Sequence, residues 1–179
     1  MKMLEKRPLI TVGKMIADRK KLARLLQKER RKGKRIVFTN GCFDILHLGH
    51  LRCLEAARAL GDILVVGLNS DASTRRLKGK GRPIHGQKER AALLCGLRPV
   101  DHVVIFNEDT PIETLKVLKP DVHVKGGDYK AKDLPEKEVV EGFGGRIVIF
   151  PLVKGHSTTG IIEKARSAPV RVHKRKKGC

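Results

Sequence analysis

Residues 36–60 read IVFTNGCFDILHLGHLRCLEAARAL. The first four residues are aromatic or β-branched, which predicts a buried strand. From Leu51 onward, Leu54 and Ala57 recur at helical spacing and predict an amphipathic helix with one apolar face. A turn that contains glycine joins the two elements, so this stretch predicts a strand–turn–helix unit.

The helix entrance in this unit is suited to an anion. A strand, a glycine-containing turn and a helix start bring backbone N–H groups and the positive end of a helix dipole to one place. His47 and His50 lie at this entrance, and an imidazole can be neutral or charged near pH 7. The stretch therefore indicates the chemistry of phosphates and nucleotides.

Length and composition favour one cytoplasmic α/β domain. The 179 residues suffice for a single core. The sequence contains no run of about eighteen apolar residues, so no segment is expected to span a membrane. The basic N-terminus does not resemble a signal peptide. The 4 cysteines form no CxxC pair, which is typical of free thiols in a reducing compartment.

The net charge of +20 is concentrated at the two ends of the chain. Residues 1–35 contain fourteen Lys/Arg and three acids, and residues 164–179 contain seven Lys/Arg and no acid. The body between them is nearly balanced. With 1 Tyr, no Trp and no recognisable nucleic-acid module, nucleic acid is not the expected partner.

Five apolar strands alternate with helices along the chain, which predicts a Rossmann-like, doubly wound parallel five-stranded sheet in a single domain. The predicted strands cover residues 36–39, 63–68, 103–106, 121–124 and 146–150. Polar residues follow each strand, so the fold places them at the edge where such sheets bind ligands.

Three segments are predicted around this sheet. They are a basic N-terminal segment 1–33 with an amphipathic helix over 14–31, the α/β domain 34–166 that contains the sheet, and a basic, disordered tail 167–179. The loop 75–84 is basic and glycine-rich, which predicts either a mobile surface loop or a lid over an anion.

The tetrad His47-x-Gly49-His50 between a strand and a helix resembles the HxGH signature of the cytidylyltransferase-like nucleotidyltransferase superfamily. A structural histidine pair and a zinc site with Cys42 are the alternatives for these residues. Six motifs along the chain resemble, in their order, those of the heptose 1-phosphate adenylyltransferases of ADP-heptose and lipopolysaccharide synthesis. They are FTNGCFD, LNSDAS, RLKGKGRPI, EDTP, VKGGDY and STT.

This resemblance implies transfer of AMP from ATP to a heptose 1-phosphate by direct in-line attack on the α-phosphorus. Catalysis then reduces to holding two polyanions and stabilising the charge on the phosphate oxygens. The resemblance implies Mg²⁺ bound through the phosphates, without protein ligands. It implies ATP and a sugar 1-phosphate as partners, and it leaves a homodimer open.

The resemblance also implies the site residues. His47 and His50 would be catalytic. The expected ATP-binding residues are Asn40, Gly41, Phe43, Asp44, His47, His50, Lys125, Gly126, Asp128, Tyr129, Ser157, Thr158 and Thr159. The candidates for binding phosphate or the acceptor are Arg52, Asn69, Asp71, Arg75, Lys78 and Arg82. The sequence departs from the superfamily pattern at Gly160 and Ile162, where a basic residue would stand.

Two other functions fit the same sequence. A cytidylyltransferase or an FMN adenylyltransferase would use the same chemistry with another acceptor, because fold does not determine the substrate. A protein that binds RNA or another polyanion through its basic ends is the alternative of a different class.

Overall fold

The computed structural model describes residues 13–128, 130, 133–151, 153 and 155–168. Within them a single sheet is surrounded by helices. The strands are β1 (Lys14–Met15), β2 (Ile36–Gly41), β3 (Ile63–Asn69), β4 (His102–Phe106), β5 (Val122–Gly126) and β6 (Arg146–Phe150). The helices are α1 (Arg19–Arg30), α2 (Leu48–Arg58), α3 (Asp71–Lys78), α4 (Gln87–Cys95), α5 (Ile112–Leu118), α6 (Lys137–Gly142) and α7 (Thr158–Ser167).

All strand pairs are parallel, and the strand order is β1-β4-β3-β2-β5-β6. The chain winds from β2 outward through β3 to β4, and then crosses back to place β5 on the other side of β2. The order therefore reverses between β2 and β5. This is the doubly wound α/β fold that the alternating strands and helices predict.

The two faces of the sheet carry separate cores, because successive strand residues point to opposite sides. Val37 packs with Leu54 of α2 and Leu94 of α4 on one face. Phe38 packs with Leu22 of α1 and with residues of α5 and α6 on the other face. The amphipathic face predicted for the helix after β2 thus covers the sheet.

The sheet has six strands, so the predicted number of five was wrong. The additional strand is β1, which pairs with β4 at the edge of the sheet. It is only two residues long and carries no alternating pattern, and the sequence placed it inside a helix over 14–31. The helix begins later, at Arg19, because the Asp18 carboxylate accepts hydrogen bonds from the Lys20 and Lys21 amides at 2.7 and 3.2 Å and caps it there.

The segment 75–84 is not a single loop. Residues up to Lys78 belong to α3, whose Ser70 cap accepts a hydrogen bond from the Ser73 amide at 3.1 Å. Only 79–84 are irregular, and Gly79 and Gly81 there have positive φ angles of 86° and 82°. The domain boundaries predicted at residues 33 and 166 stay predictions.

Candidate active site

A cavity of about 550 Å³ lies at the carboxyl ends of β2, β5 and β6, where the strand order reverses. This is the edge at which doubly wound sheets bind ligands. It is lined by Thr39, Asn40, Gly41, Cys42, Phe43, Asp44, His47, Gly49, His50, Cys53, Asn69, Leu77, Lys78, Arg82, Asp109, Lys125, Gly126, Phe150, Pro151, Val153, His156, Ser157, Thr158 and Thr159. A depression of about 350 Å³ near Asp62, at the opposite edge of the sheet, contains none of these groups.

The two histidines of the HxGH tetrad form a stacked pair at the start of α2. His47 is the N-cap residue, with extended backbone angles, and the His50 amide donates a hydrogen bond to its carbonyl at 3.0 Å. The ring centroids lie 3.8 Å apart, with the planes inclined by 19°. The Phe43 ring contacts the His50 ring at a centroid distance of 5.1 Å. The pair is thus held between the turn after β2 and the first turn of α2.

Both imidazoles are held in the neutral form. Burial, and then the proximity of His47, lower the pKa of His50 to about 4. Burial, and then the proximity of His156, lower the pKa of His47. The Nδ1 atoms of His47 and His50 are buried and have no hydrogen-bond partner among the described residues. A bound anion would supply the missing partner and would favour a proton on the rings.

Asp44 lies at the cavity, but its carboxylate serves the protein itself. It accepts hydrogen bonds from Arg82 Nε at 2.5 Å and from the backbone amides of Ile84 and His85 at 2.7 and 3.1 Å. Burial alone would raise the pKa of Asp44, but these bonds outweigh it and the pKa is lowered. The carboxylate therefore anchors the 82–85 segment, and Arg82 reaches the cavity as one half of an ion pair.

Arg90 of α4 is a central residue that the sequence reasoning missed. Its side chain is fully buried. It donates to the Cys42 carbonyl at 2.5 Å, to the His85 carbonyl at 2.9 Å and to the Asp71 carboxylate at 2.8 Å. One guanidinium therefore joins the turn after β2, the 82–85 segment and the start of α3. An arginine directly before the apolar run AALLC (91–95), on the side of the helix that faces the sheet, is the signal that could have revealed it.

The loop after β5 forms another wall of the cavity. Lys125 Nζ donates a hydrogen bond to Glu136, which is almost fully buried, at 2.8 Å. A Cβ atom at Gly126 would lie 3.2 Å from Cys53 Sγ, so the backbone approaches α2 closely at this point. Asp128 is exposed and does not line the cavity. Tyr129 lies outside the described residues.

His123 supports the cavity from within the sheet. It is fully buried in β5, and its Nε2 lies 3.3 Å from Asn40 Oδ1. Since an amide oxygen only accepts, Nε2 carries the proton in this contact. Burial, and then the nearby Lys125, lower the pKa of His123 to about 4. The contact turns the amino group of Asn40 away from His123, so that it remains available as a donor.

The predicted hydroxyl residues lie at the start of α7, on the rim of the cavity. Ser157 Oγ accepts the Gly160 amide at 3.0 Å and caps the helix. Thr158 donates from its hydroxyl to the Ile45 carbonyl at 3.3 Å, which joins α7 to the loop before α2. The starts of α2 and α7 therefore meet at the same cavity, together with Thr159.

The acceptor candidates divide into two groups. Asn69, Lys78 and Arg82 line the cavity. The other candidates lie elsewhere: the Arg52 side chain pairs with Glu55, that of Asp71 with Arg90, and that of Arg75 is exposed.

Some cavity residues were absent from the predicted set, although they stand at the end of a predicted strand or in the loop that follows one. Asp109 follows β4 and pairs with Arg76 at 2.7 Å, and Phe150 ends β6. His156 precedes the α7 cap. Their position after a strand was the available signal, but only the fold shows which of them turn inward.

The described residues contain neither a metal-binding cluster nor a membrane-spanning helix. No group of three or more His, Cys, Asp or Glu side chains there could hold a metal ion. None of the helices in the same part of the chain is long and apolar enough to cross a membrane.

Comparison with known proteins gives consistent matches. The model of the cytidylyltransferase-like family matches residues 38–170. The bifunctional protein HldE of Syntrophotalea carbinolica is 55% identical over 146 residues, which cover 82% of this chain and 30% of that protein. HldE of Geobacter sulfurreducens is 54% identical over 147 residues, which cover 82% of this chain and 30% of that protein. The chain thus spans about 30% of the length of these relatives.

A solved structure also resembles this chain. The lipopolysaccharide core biosynthesis protein from Thermoplasma volcanium is 35% identical, with a TM-score of 0.56. The match covers 69% of this chain and 100% of that one.

Replacement of Arg90 by Met is expected to lower the free energy of unfolding by ~3–5 kcal/mol, because it leaves the Asp71 carboxylate and two carbonyls without their shared donor. Chemical denaturation measures this change. Arg52→Met is the matched control, since it removes an exposed arginine that pairs with Glu55, and should cost less than ~1 kcal/mol. Equal effects of the two substitutions would contradict the structural role of Arg90.

Stability is expected to fall as the pH falls from 6.5 to about 4. In this window His123 is protonated in the unfolded chain but stays neutral in the folded chain, where its pKa is about 4. Above pH 6.5 His123 is neutral in both the folded and the unfolded chain and costs no stability. Toward pH 4 the free energy of unfolding falls, because only the unfolded chain takes up the proton. His123→Leu should therefore reduce the loss by up to ~3 kcal/mol, as measured by denaturation at a series of pH values. An unchanged slope would show that His123 is not buried in the neutral form.

Proposed function

The chain belongs to the cytidylyltransferase-like family, and from this premise we propose that it transfers AMP from ATP to a heptose 1-phosphate, with ADP-heptose and pyrophosphate as products. One observation carries the chemistry: the stacked His47–His50 pair, with unpartnered buried Nδ1 atoms, faces the cavity at the start of α2. Neutral donors at a helix N-terminus suit a polyphosphate.

The proposed reaction is a direct displacement. A phosphate oxygen of the sugar phosphate attacks the α-phosphorus of ATP, and the bond from that phosphorus to the bridging oxygen breaks. The electron pair leaves with pyrophosphate. The acceptor needs no general base, because the second pKa of a phosphate monoester is near ~6, and it already carries its nucleophilic charge at neutral pH.

The two histidines are proposed to stabilise the charge that grows on the reacting phosphate. The starts of α2 and α7 add backbone N–H groups and dipoles to the same space. Their orientation is fixed before the substrate arrives, which is the condition under which electrostatic stabilisation accelerates a reaction most. Asn40, held by His123, adds an amide donor on the β2 side.

Mg²⁺ is proposed to enter as the counter-ion of ATP and therefore as part of the substrate. The carboxylates of Asp44 and Asp109 line the cavity, but both already pair with arginines. This arrangement fits a divalent ion held mainly by the phosphates.

The choice of a heptose acceptor and of ATP rests on resemblance. The six motifs from FTNGCFD to STT, the HldE relatives and the lipopolysaccharide core biosynthesis protein support it. Within the cavity, Asn69, Lys78 and Arg82 are the proposed contacts for the acceptor. An assembly as a homodimer stays a prediction.

Incubation of the purified chain with ATP or CTP and a panel of sugar phosphates tests the substrate assignment. Pyrophosphate release is expected with ATP and heptose 1-phosphate, and at a much lower rate with CTP or with FMN as acceptor. Release with CTP alone would replace the adenylyltransferase assignment by a cytidylyltransferase.

His50→Ala is expected to lower the rate of pyrophosphate release by ~10²-fold or more, because it removes a donor placed at the reacting phosphate. Circular dichroism should show the same fold. His85→Ala is the control, since His85 serves the site only through its backbone N–H and carbonyl. A His50→Ala rate near that of the wild type would exclude His50 from catalysis.

A further inference from the structure

His156 adds a third imidazole to the pair at the start of α2. Its ring lies 6.4 Å from that of His47, between centroids, with the planes inclined by only 21°. His47 in turn stacks on His50 at 3.8 Å. His50 and His47 are partly buried and His156 is exposed, so the three rings form a row from the inside of the cavity to its mouth.

Gly49 allows this row to form. A Cβ atom at position 49 would lie 3.1 Å from the His47 ring and 3.3 Å from the Cβ atom of His156. Any larger residue would therefore press on both histidines. The Thr158 hydroxyl donates a hydrogen bond to the Ile45 carbonyl and so holds the start of α7 against the loop before α2. His156, two residues before Thr158, is held beside α2 by the same contact.

His156 also differs from Arg82 and Lys125, two cations of the cavity wall. Arg82 and Lys125 form ion pairs with Asp44 and Glu136, which are almost fully buried. The first turn of α7, TTGI, has neither Lys nor Arg. In the described part of the chain, no acidic side chain pairs with His156. It is a histidine at the mouth whose donors are not committed to a carboxylate.

We propose that His156 binds the β- and γ-phosphates of ATP, the end that departs as pyrophosphate; this rests on the proposed function. His47 and His50 lie deeper, at the α-phosphate, and a polyphosphate that extends from them toward the mouth passes His156. Negative charge accumulates on the leaving pyrophosphate as its bond to the α-phosphorus breaks. A hydrogen-bond donor at this position stabilises that charge.

The affinities for ATP and AMP separate this role from a structural one. Isothermal titration of His156→Ala is expected to show ATP binding weakened by about tenfold or more, which is the usual loss for a hydrogen bond to a charged group. AMP, which lacks the two outer phosphates, should bind with an affinity within about twofold of the wild-type value. His156→Lys, which supplies an ammonium donor at the same position, should restore most of the affinity for ATP.

Arg166→Ala is the matched control, because Arg166 is an exposed basic residue of α7 that does not line the cavity. It should change neither affinity. An unchanged ATP affinity in His156→Ala, or equal losses for ATP and AMP, would overturn the role of His156. A wild-type chain that binds ATP but releases no pyrophosphate with any sugar phosphate would contradict the proposed function alone.

Discussion

The parallel pairing of β2 with β3 on one side and β5 on the other is the constraint on which the site depends. Parallel strands deliver all their carboxyl ends to one edge, and the reversal of the strand order beside β2 leaves that edge open. The turn after β2, the loop after β5 and the start of α7 reach the cavity for this reason alone. A sheet wound in one direction would have covered the same residues with its next crossover.

The charges in the cavity are divided between structure and ligand. Arg82 is committed to Asp44, Lys125 to Glu136 and Arg90 to Asp71. These pairs fix the walls before any substrate arrives. Lys78, the neutral imidazoles and the helix N-termini remain to receive the anions. A neutral imidazole avoids the cost of burying a charge in the empty protein, and it becomes a stronger donor once a phosphate raises its pKa.

Local patterns predicted the parts of the fold that local forces determine. The strand–turn–helix unit 36–60, the strand order reversal and the placement of His47 and His50 beside a cavity follow from periodicity and from the parallel fold. β1 escaped prediction because two residues carry no period. α3 was not predicted because its last basic residues directly precede the glycines of 79–81, and the whole basic, glycine-rich stretch has the composition of a loop. Arg90 and His123 act across sequence separations of 48 and 83 residues, which no local pattern encodes.

The nucleophilic side chains at the cavity support a transfer without a covalent intermediate. Burial raises the pKa of the Cys53 thiol to about 11, so it stays protonated and unreactive near neutral pH. The Ser157 oxygen caps α7, and the Thr158 hydroxyl is engaged with a backbone carbonyl. Cys53, Ser157 and Thr158 therefore do not act as activated nucleophiles of the Ser–His or Cys–His type. An acceptor that arrives as a phosphate brings its own nucleophilic oxygen, and this cavity is built to hold two such anions together.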